Sequence, residues 1–157
     1  MEEKEARRLV ESYGDLIYRI GVNYLKNASD AEDICQTVFL KYIASDVHFE
    51  NQQHEKAWII RTTINACKDV LKSSAFKNTT TLEELGDIKA TESHETGITE
   101  EVMKLPHNYR ICIFLYYYEG YSIKEIASIL QKTELSVRTL LSRARKKLQL
   151  TLREDMQ

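Results

Sequence analysis

An all-α fold, in two small helical domains joined by a flexible acidic linker, is what this sequence predicts, and three observations carry the reading. Apolar residues recur at spacings of three and four through two long stretches, the period of a helix with one buried face. No segment alternates apolar and polar residues convincingly enough to be a strand. One proline and five glycines in 157 residues argue against a β-sandwich and against a disordered chain.

The first stretch, residues 1–73, opens on a long amphipathic helix with Leu9, Tyr13, Leu16, Ile17, Ile20, Tyr24 and Leu25 on its apolar face. Ser29 and Glu32 then form an S-x-x-E capping box, in which each side chain satisfies an orphan backbone N–H at a helix start. The helix they open carries Ile34, Cys35, Val38, Phe39, Tyr42 and Ile43 as one apolar stripe. A polar loop, Ala44 to Lys56, precedes a third helix that buries Trp58, Ile60, Ile64, Cys67 and Leu71. Residues 74–98 are rich in threonine, serine and acids and read as the linker. About 25 residues of flexible coil span roughly 25–30 Å, so two modules can act at separated points.

The second stretch, residues 99–153, begins with a short helix over Thr99–Leu105. Pro106 suits the first turn of the next helix, which runs through "HNYRICIFLYYYE" to a stop at Gly120. Ser122 and Glu125 form a second capping box. Ile123, Ile126, Ala127 and Leu130 follow in a helix of about two turns, where the small Ala127 lets a partner helix approach. The turn "QKT" leads to Thr133, an N-cap for a longer helix. There Val137, Leu141, Ala144 and Leu148 share one face, with Arg138, Thr139, Ser142, Arg145 and Lys146 opposite.

Composition narrows the function. No apolar run approaches the ~20 residues of a membrane span, so direct membrane insertion is not expected. The charged, periodic opening predicts a helix and not a signal peptide, and the ending "LREDMQ" predicts no fused regulatory domain. Cys35, Cys67 and Cys112 make no CxxC pair or disulfide framework, which suits a reducing cytoplasm and core roles for these residues. The net charge of −2 hides an asymmetry: residues 73–105 carry 3 cationic against 7 acidic side chains, and residues 120–153 carry 8 against 2. A local basic stripe of that kind is the footprint of nucleic-acid binding.

Metal and enzyme chemistry find little support. His48, His54, His94 and His107 are scattered without ligand spacing, and no metal site is expected. Asp30, Glu32 and Asp33 crowd around Cys35, but Cys35 turns toward the core and Asp33 away from it on the same helix. Capping and the helix dipole account for Asp30 and Glu32. There is no phosphate-cradling glycine loop and no nucleophile–base set. The tyrosines at 116–118 read as packing and surface amphipathicity.

A short buried helix, a tight turn and an amphipathic helix with a basic outer face are helix-turn-helix grammar. At this point the chain resembles a family. "GYSIKEIASIL…TELSVRTLLSRARKKL" is similar to region 4 of sigma factors of the extracytoplasmic-function group, within the sigma-70 family, and "LPHNYRICIFLYYYEGYS" to the helix leading into it. "DAEDICQTVFLKY" resembles their region 2, and "KAWIIRTTINACKDVLK" the segment that follows.

The resemblance implies a protein that is not an enzyme and needs no cofactor. It implies core RNA polymerase, promoter DNA and an anti-sigma factor as partners. Region 4 reads the −35 element, so Arg138, Thr139, Ser142 and Arg143 match base- and backbone-contacting positions, with Arg145 and Lys146 on phosphates. Two residues depart from the pattern: Gln131 stands where a turn glycine is common, and Leu140 where a basic residue is common, implying weaker or different −35 contacts. Region 2 reads the −10 element as an unstacked single strand, with Phe49, Asn51, Gln52 and Gln53 in the base-capturing loop. Asn65 matches a recurrent asparagine on the next helix, and Arg61 and Lys68 can contact backbone. Asp33 and Gln36 match a recurrent D-x-x-Q on the helix that docks on polymerase, and Leu40, an apolar residue with no core reason to face water, joins them. The rival is a helix-turn-helix regulator acting without core polymerase, which leaves the first module unused.

Overall fold

A computed structural model describes residues 2–74 and 100–155, which fall into two compact units, one within residues 1–88 and the other within 89–157. Apart from Ser74, the expected linker lies outside the described residues. The described residues contain helices and no strand.

The first unit packs three helices: α1 (Glu3–Leu25), α2 (Ala28–Ala44) and α3 (Gln52–Ser74). All seven apolar residues predicted for the face of α1 are buried. The crossing with α2 is close because Gly21 has no side chain: a Cβ there would lie 2.9 Å from Ala31 Cβ and 3.0 Å from Ala31 Cα. Lys26 ends α1 in the left-handed conformation at φ 56°, with its N–H on the Val22 carbonyl.

That turn relocates the cap of α2. Asn27, in extended conformation, accepts the Asp30 N–H on its Oδ1 at 2.9 Å. The expected Ser29–Glu32 box is therefore not the start of the helix. Ser29 is already helical and cannot adopt the extended backbone a cap requires.

On α2, Ile34 and Val38 are buried with Ala31, while Cys35, Phe39 and Tyr42 are half-buried. Ile43 is exposed and lies outside the stripe predicted for it. On α3, Ile60, Ile64 and Cys67 are buried as expected, together with Ile59, Thr63 and Ala66. Trp58 and Leu71 are half-buried. The Thr63 hydroxyl donates to the Ile59 carbonyl at 2.7 Å, which satisfies it within its own helix. Burial pushes the Cys67 thiol up to about 12 and that of Cys35 up to about 11, so neither is a ready thiolate.

The second unit contains α4 (Glu100–Met103), α5 (His107–Ile113), a π-helical turn (Phe114–Tyr118), α6 (Ile123–Leu130) and α7 (Glu134–Asp155). The expected uninterrupted helix up to Gly120 widens at Phe114. The Glu119 N–H reaches back to the Phe114 carbonyl and the Tyr121 N–H to that of Leu115. Phe114 and Tyr118 stack at 5.2 Å along this turn, and Gly120 leaves it at φ 76°. Ile111, Cys112, Phe114 and Leu115 meet Ile126, Leu130, Val137, Leu141 and Ala144 in the core.

The helix-turn-helix follows the sequence closely. Ser122 and Glu125 exchange side-chain and backbone bonds at 3.1 and 3.0 Å, completing the predicted capping box. Gln131 takes φ 55°, while the Lys132 N–H reaches the Ala127 carbonyl and the Gln131 N–H that of Ser128. This pair of bonds is a Schellman motif, and Gln131 occupies the left-handed position a glycine would fill. The turn is kept, with strain held at a non-glycine residue.

Two substitutions test these placements. Gly21→Ala should destabilise the first unit by about 1–3 kcal/mol through overpacking against the Ala31 backbone, read from Trp58 fluorescence during urea unfolding. Gln131→Gly should raise the thermal midpoint of the second unit, followed by amide exchange, by an amount equivalent to about 0.5–1 kcal/mol.

Candidate nucleic-acid and protein interfaces

In the first unit the candidate site lies where α1, α2 and the start of α3 converge. Glu55 sits one turn before Ile59 on the buried side of α3 and is itself buried. Its carboxylate accepts two bonds from the Arg8 guanidinium at 3.1 and 3.0 Å. It also accepts the Tyr13 hydroxyl at 2.6 Å and the Tyr42 hydroxyl at 2.7 Å. Burial alone would raise the Glu55 carboxyl, but these bonds outweigh it and hold it down at about 2. Burial and the bond to Glu55 push the Tyr42 phenol up to about 12 and raise that of Tyr13 as well. From the sequence Tyr13 was expected only as part of the apolar face of α1, and Arg8 and Glu55 carried no expectation. The available signal was a charged residue in register with a buried stripe.

Tyr42 carries this order to the loop. Its ring stacks on Phe49 at 5.8 Å and meets Trp58 edge-on at 5.7 Å. Phe49 also contacts His54 and Trp58 edge-on. A cavity of about 480 Å³ opens beside these rings, lined by Arg8, Tyr42, Phe49, Asn51, Gln52 and Glu55 among others. A second, of about 320 Å³, lies between Ser12, Tyr13, Gln52, Gln53 and Lys56.

The irregular stretch is shorter than predicted, because α3 begins at Gln52. Asn51 ends it and caps the helix: its Oδ1 accepts the His54 N–H at 2.8 Å. Gln52 and Gln53 thus stand on the first helical turn, not in a loop. Phe49, Asn51 and Gln52 share the larger cavity, while Gln53 lines only the smaller. Arg61, Asn65 and Lys68 lie further along α3 at i, i+4 and i+7, on one face that continues from Trp58. Asn65 is exposed, and Arg61 and Lys68 are half-buried.

On α2, Asp33 and Gln36 are exposed and Leu40 is 66% exposed, all on the side away from α1. The Thr37 hydroxyl between them donates to the Asp33 carbonyl. Cys35 points the other way, with its Sγ 3.8 Å from the Gly14 carbonyl. Ile43, also exposed, extends the stripe by one turn.

In the second unit α7 begins as predicted: Thr133 Oγ1 accepts the Ser136 N–H at 3.0 Å. Arg138, Ser142, Arg143, Arg145 and Lys146 are exposed and Thr139 is half-buried. Leu140 is buried, so the departure noted in the sequence adds to the core and removes nothing from the outer face. The expectation of altered −35 contacts loses that basis. Arg145 is held by the tyrosine run: its guanidinium lies 5.6 and 5.5 Å from the Tyr116 and Tyr117 ring centres, and its Nε donates to the Tyr117 hydroxyl. Lys147 sits 4.9 Å over the Tyr109 ring.

Comparison with known proteins places both units. Residues 9–76 match the sigma-70 region 2 family and residues 97–148 the sigma-70 region 4 family. The chain is 30% identical to the RNA polymerase sigma factor SigV of Bacillus subtilis over 143 residues, covering 88% of this chain and 86% of that protein. It is 27% identical to the ECF RNA polymerase sigma factor SigM of the same organism over 150 residues, covering 89% and 90%. Among solved structures, the sigma factor RpoE of Bartonella quintana, crystallised with the anti-sigma factor NepR, shares the fold with a TM-score of 0.73 at 18% identity, covering 96% of this chain and 98% of that one.

The Glu55 carboxylate gives the first unit a pH signature. A carboxyl near 4.5 when unfolded and about 2 when folded stabilises the native state fully above pH 4.5 and loses that contribution as pH falls toward 2. Glu55→Gln should remove this acid limb from the Trp58-reported stability and cost about 1–3 kcal/mol at pH 7.

Proposed function

Because the chain belongs to the sigma-70 family, in its extracytoplasmic-function group, it is an alternative RNA polymerase sigma factor, and we propose the residues through which it acts. Residues 1–73 serve as region 2, residues 99–153 as region 4, and residues 74–98 as the linker between them. Asp33, Gln36 and Leu40 dock on core RNA polymerase. The observation that carries this assignment is the exposed face of α2, where a large apolar side chain stands beside an acid and an amide that the unit's own packing does not use.

The −10 strand is read at the aromatic corner of the first unit. Phe49 offers a stacking surface within the Tyr42–Trp58 cluster, and Asn51 and Gln52 offer amide groups to a base entering the adjoining cavity. Gln53 lines the smaller cavity beside it, and Arg61, Asn65 and Lys68 carry the backbone along α3. The −35 duplex is read by α7. Arg138, Thr139, Ser142 and Arg143 reach bases and backbone, and Lys146 and the tyrosine-held Arg145 reach phosphates. The protein is non-catalytic and works in the cytoplasm. No described helix is long and apolar enough to cross a membrane. An anti-sigma partner, of the kind bound to RpoE in its solved complex, holds it inactive. Regulation without polymerase is the weaker reading, since residues 9–76 of the first unit match region 2.

The triple variant Asp33→Ala, Gln36→Ala, Leu40→Ala should weaken binding to core polymerase about 100-fold or more, with helicity by circular dichroism unchanged. Undiminished core binding would overturn the assignment.

A further inference from the structure

We propose that Leu135 is a specificity residue of the −35 reader, and that it recognises the methyl group of a thymine in the major groove. This rests on the −35 assignment of α7 above. Leu135 is the second residue of α7 and is 71% exposed, the most exposed large apolar side chain among the described residues. The core does not require it: Val137, Leu140, Leu141 and Ala144 fill the buried side of the helix.

At roughly 100° per residue, Arg138, Thr139, Ser142, Arg143, Arg145 and Lys146 all fall within about 80° of Leu135 on either side. Leu135 therefore marks the midline of the polar arc, at the helix end that enters the groove in this motif. Its turn is pre-ordered. The Thr133 cap holds the Ser136 N–H, and the Thr139 hydroxyl donates to the Leu135 carbonyl at 2.9 Å, so that hydrogen is engaged within the helix.

The chemistry selects the partner. In the major groove the C5-methyl of thymine is the one methyl group on the four bases' edges, set among hydrogen-bond donors and acceptors. An exposed leucine cannot use those, and it matches the methyl. The cations around it favour phosphate-bearing DNA over an apolar protein groove, which would have to desolvate Arg138, Arg143, Arg145 and Lys146 together.

The test uses holoenzyme, the full chain with core polymerase, and duplexes it selects from a random-sequence pool. Each −35 thymine is replaced in turn by deoxyuridine, which removes the methyl and leaves base pairing intact. At one position the exchange should weaken wild-type binding about fourfold, the effect of one buried methyl group. Leu135→Ala holoenzyme should bind the two duplexes equally. Selection repeated with Leu135→Ala should lose the thymine preference at that position. Indifference of the wild type to every exchange, or full sensitivity kept by Leu135→Ala, overturns the proposal. So does a Leu135→Ala defect in core binding without DNA, which would mark Leu135 as a protein contact. Arg138→Ala separates the two levels: it should weaken all the duplexes alike, and no effect from it overturns the −35 assignment itself.

Discussion

One buried carboxylate organises the first unit. Glu55 draws Arg8 and Tyr13 from α1 and Tyr42 from α2 onto the start of α3, so three helices meet at one anion. A carboxylate out of water is tolerated only when its lone pairs are occupied, and here four donated bonds occupy them. The consequence reaches the surface, because Tyr42 both donates to Glu55 and stacks on Phe49. The aromatic corner proposed to receive an unstacked base is thus held in shape by a bond made beneath it. Precision of that kind matters when a flipped base must be met by groups already in position.

The outer faces divide the remaining work. Each unit alone offers a small reading surface, and single recognition modules bury only roughly 600–1,000 Å² on DNA. Two modest readers become selective when a larger body holds both near their targets, which raises the effective concentration of the second once the first has bound. The exposed stripe on α2, proposed to dock on polymerase, serves that logic: polymerase comes first, and promoter reading follows from it. The tyrosine pair under Arg145 adds a local version of the same device, fixing in advance a cation proposed to meet a phosphate, where a free side chain would lose rotamer freedom.

Much of this was legible in the residues, and the failures are instructive. Helix faces followed from spacing, and the Ser122–Glu125 box and Thr133 cap from local pattern, because these signals depend on neighbours in the chain. The Ser29–Glu32 box failed although its pattern was equally good. Which residue caps α2 is decided by the left-handed Lys26 before it, and pattern alone does not report a backbone turn. The π-helical turn was hidden for a similar reason, since an aromatic run reads as ordinary helix until packing widens it. Glu55 had a visible oddity, a charge on a buried stripe, but its partner Arg8 is 47 residues away. Gln131 shows the reverse: a residue unsuited to a turn sits in the turn anyway, because the caps and core on both sides determine it.

The most direct measurement of sigma activity is run-off transcription with core polymerase, this protein and the DNA that their complex selects. A discrete start site should appear only when both proteins are present. No transcript above that of core polymerase alone, with the protein shown to be folded, would contradict it.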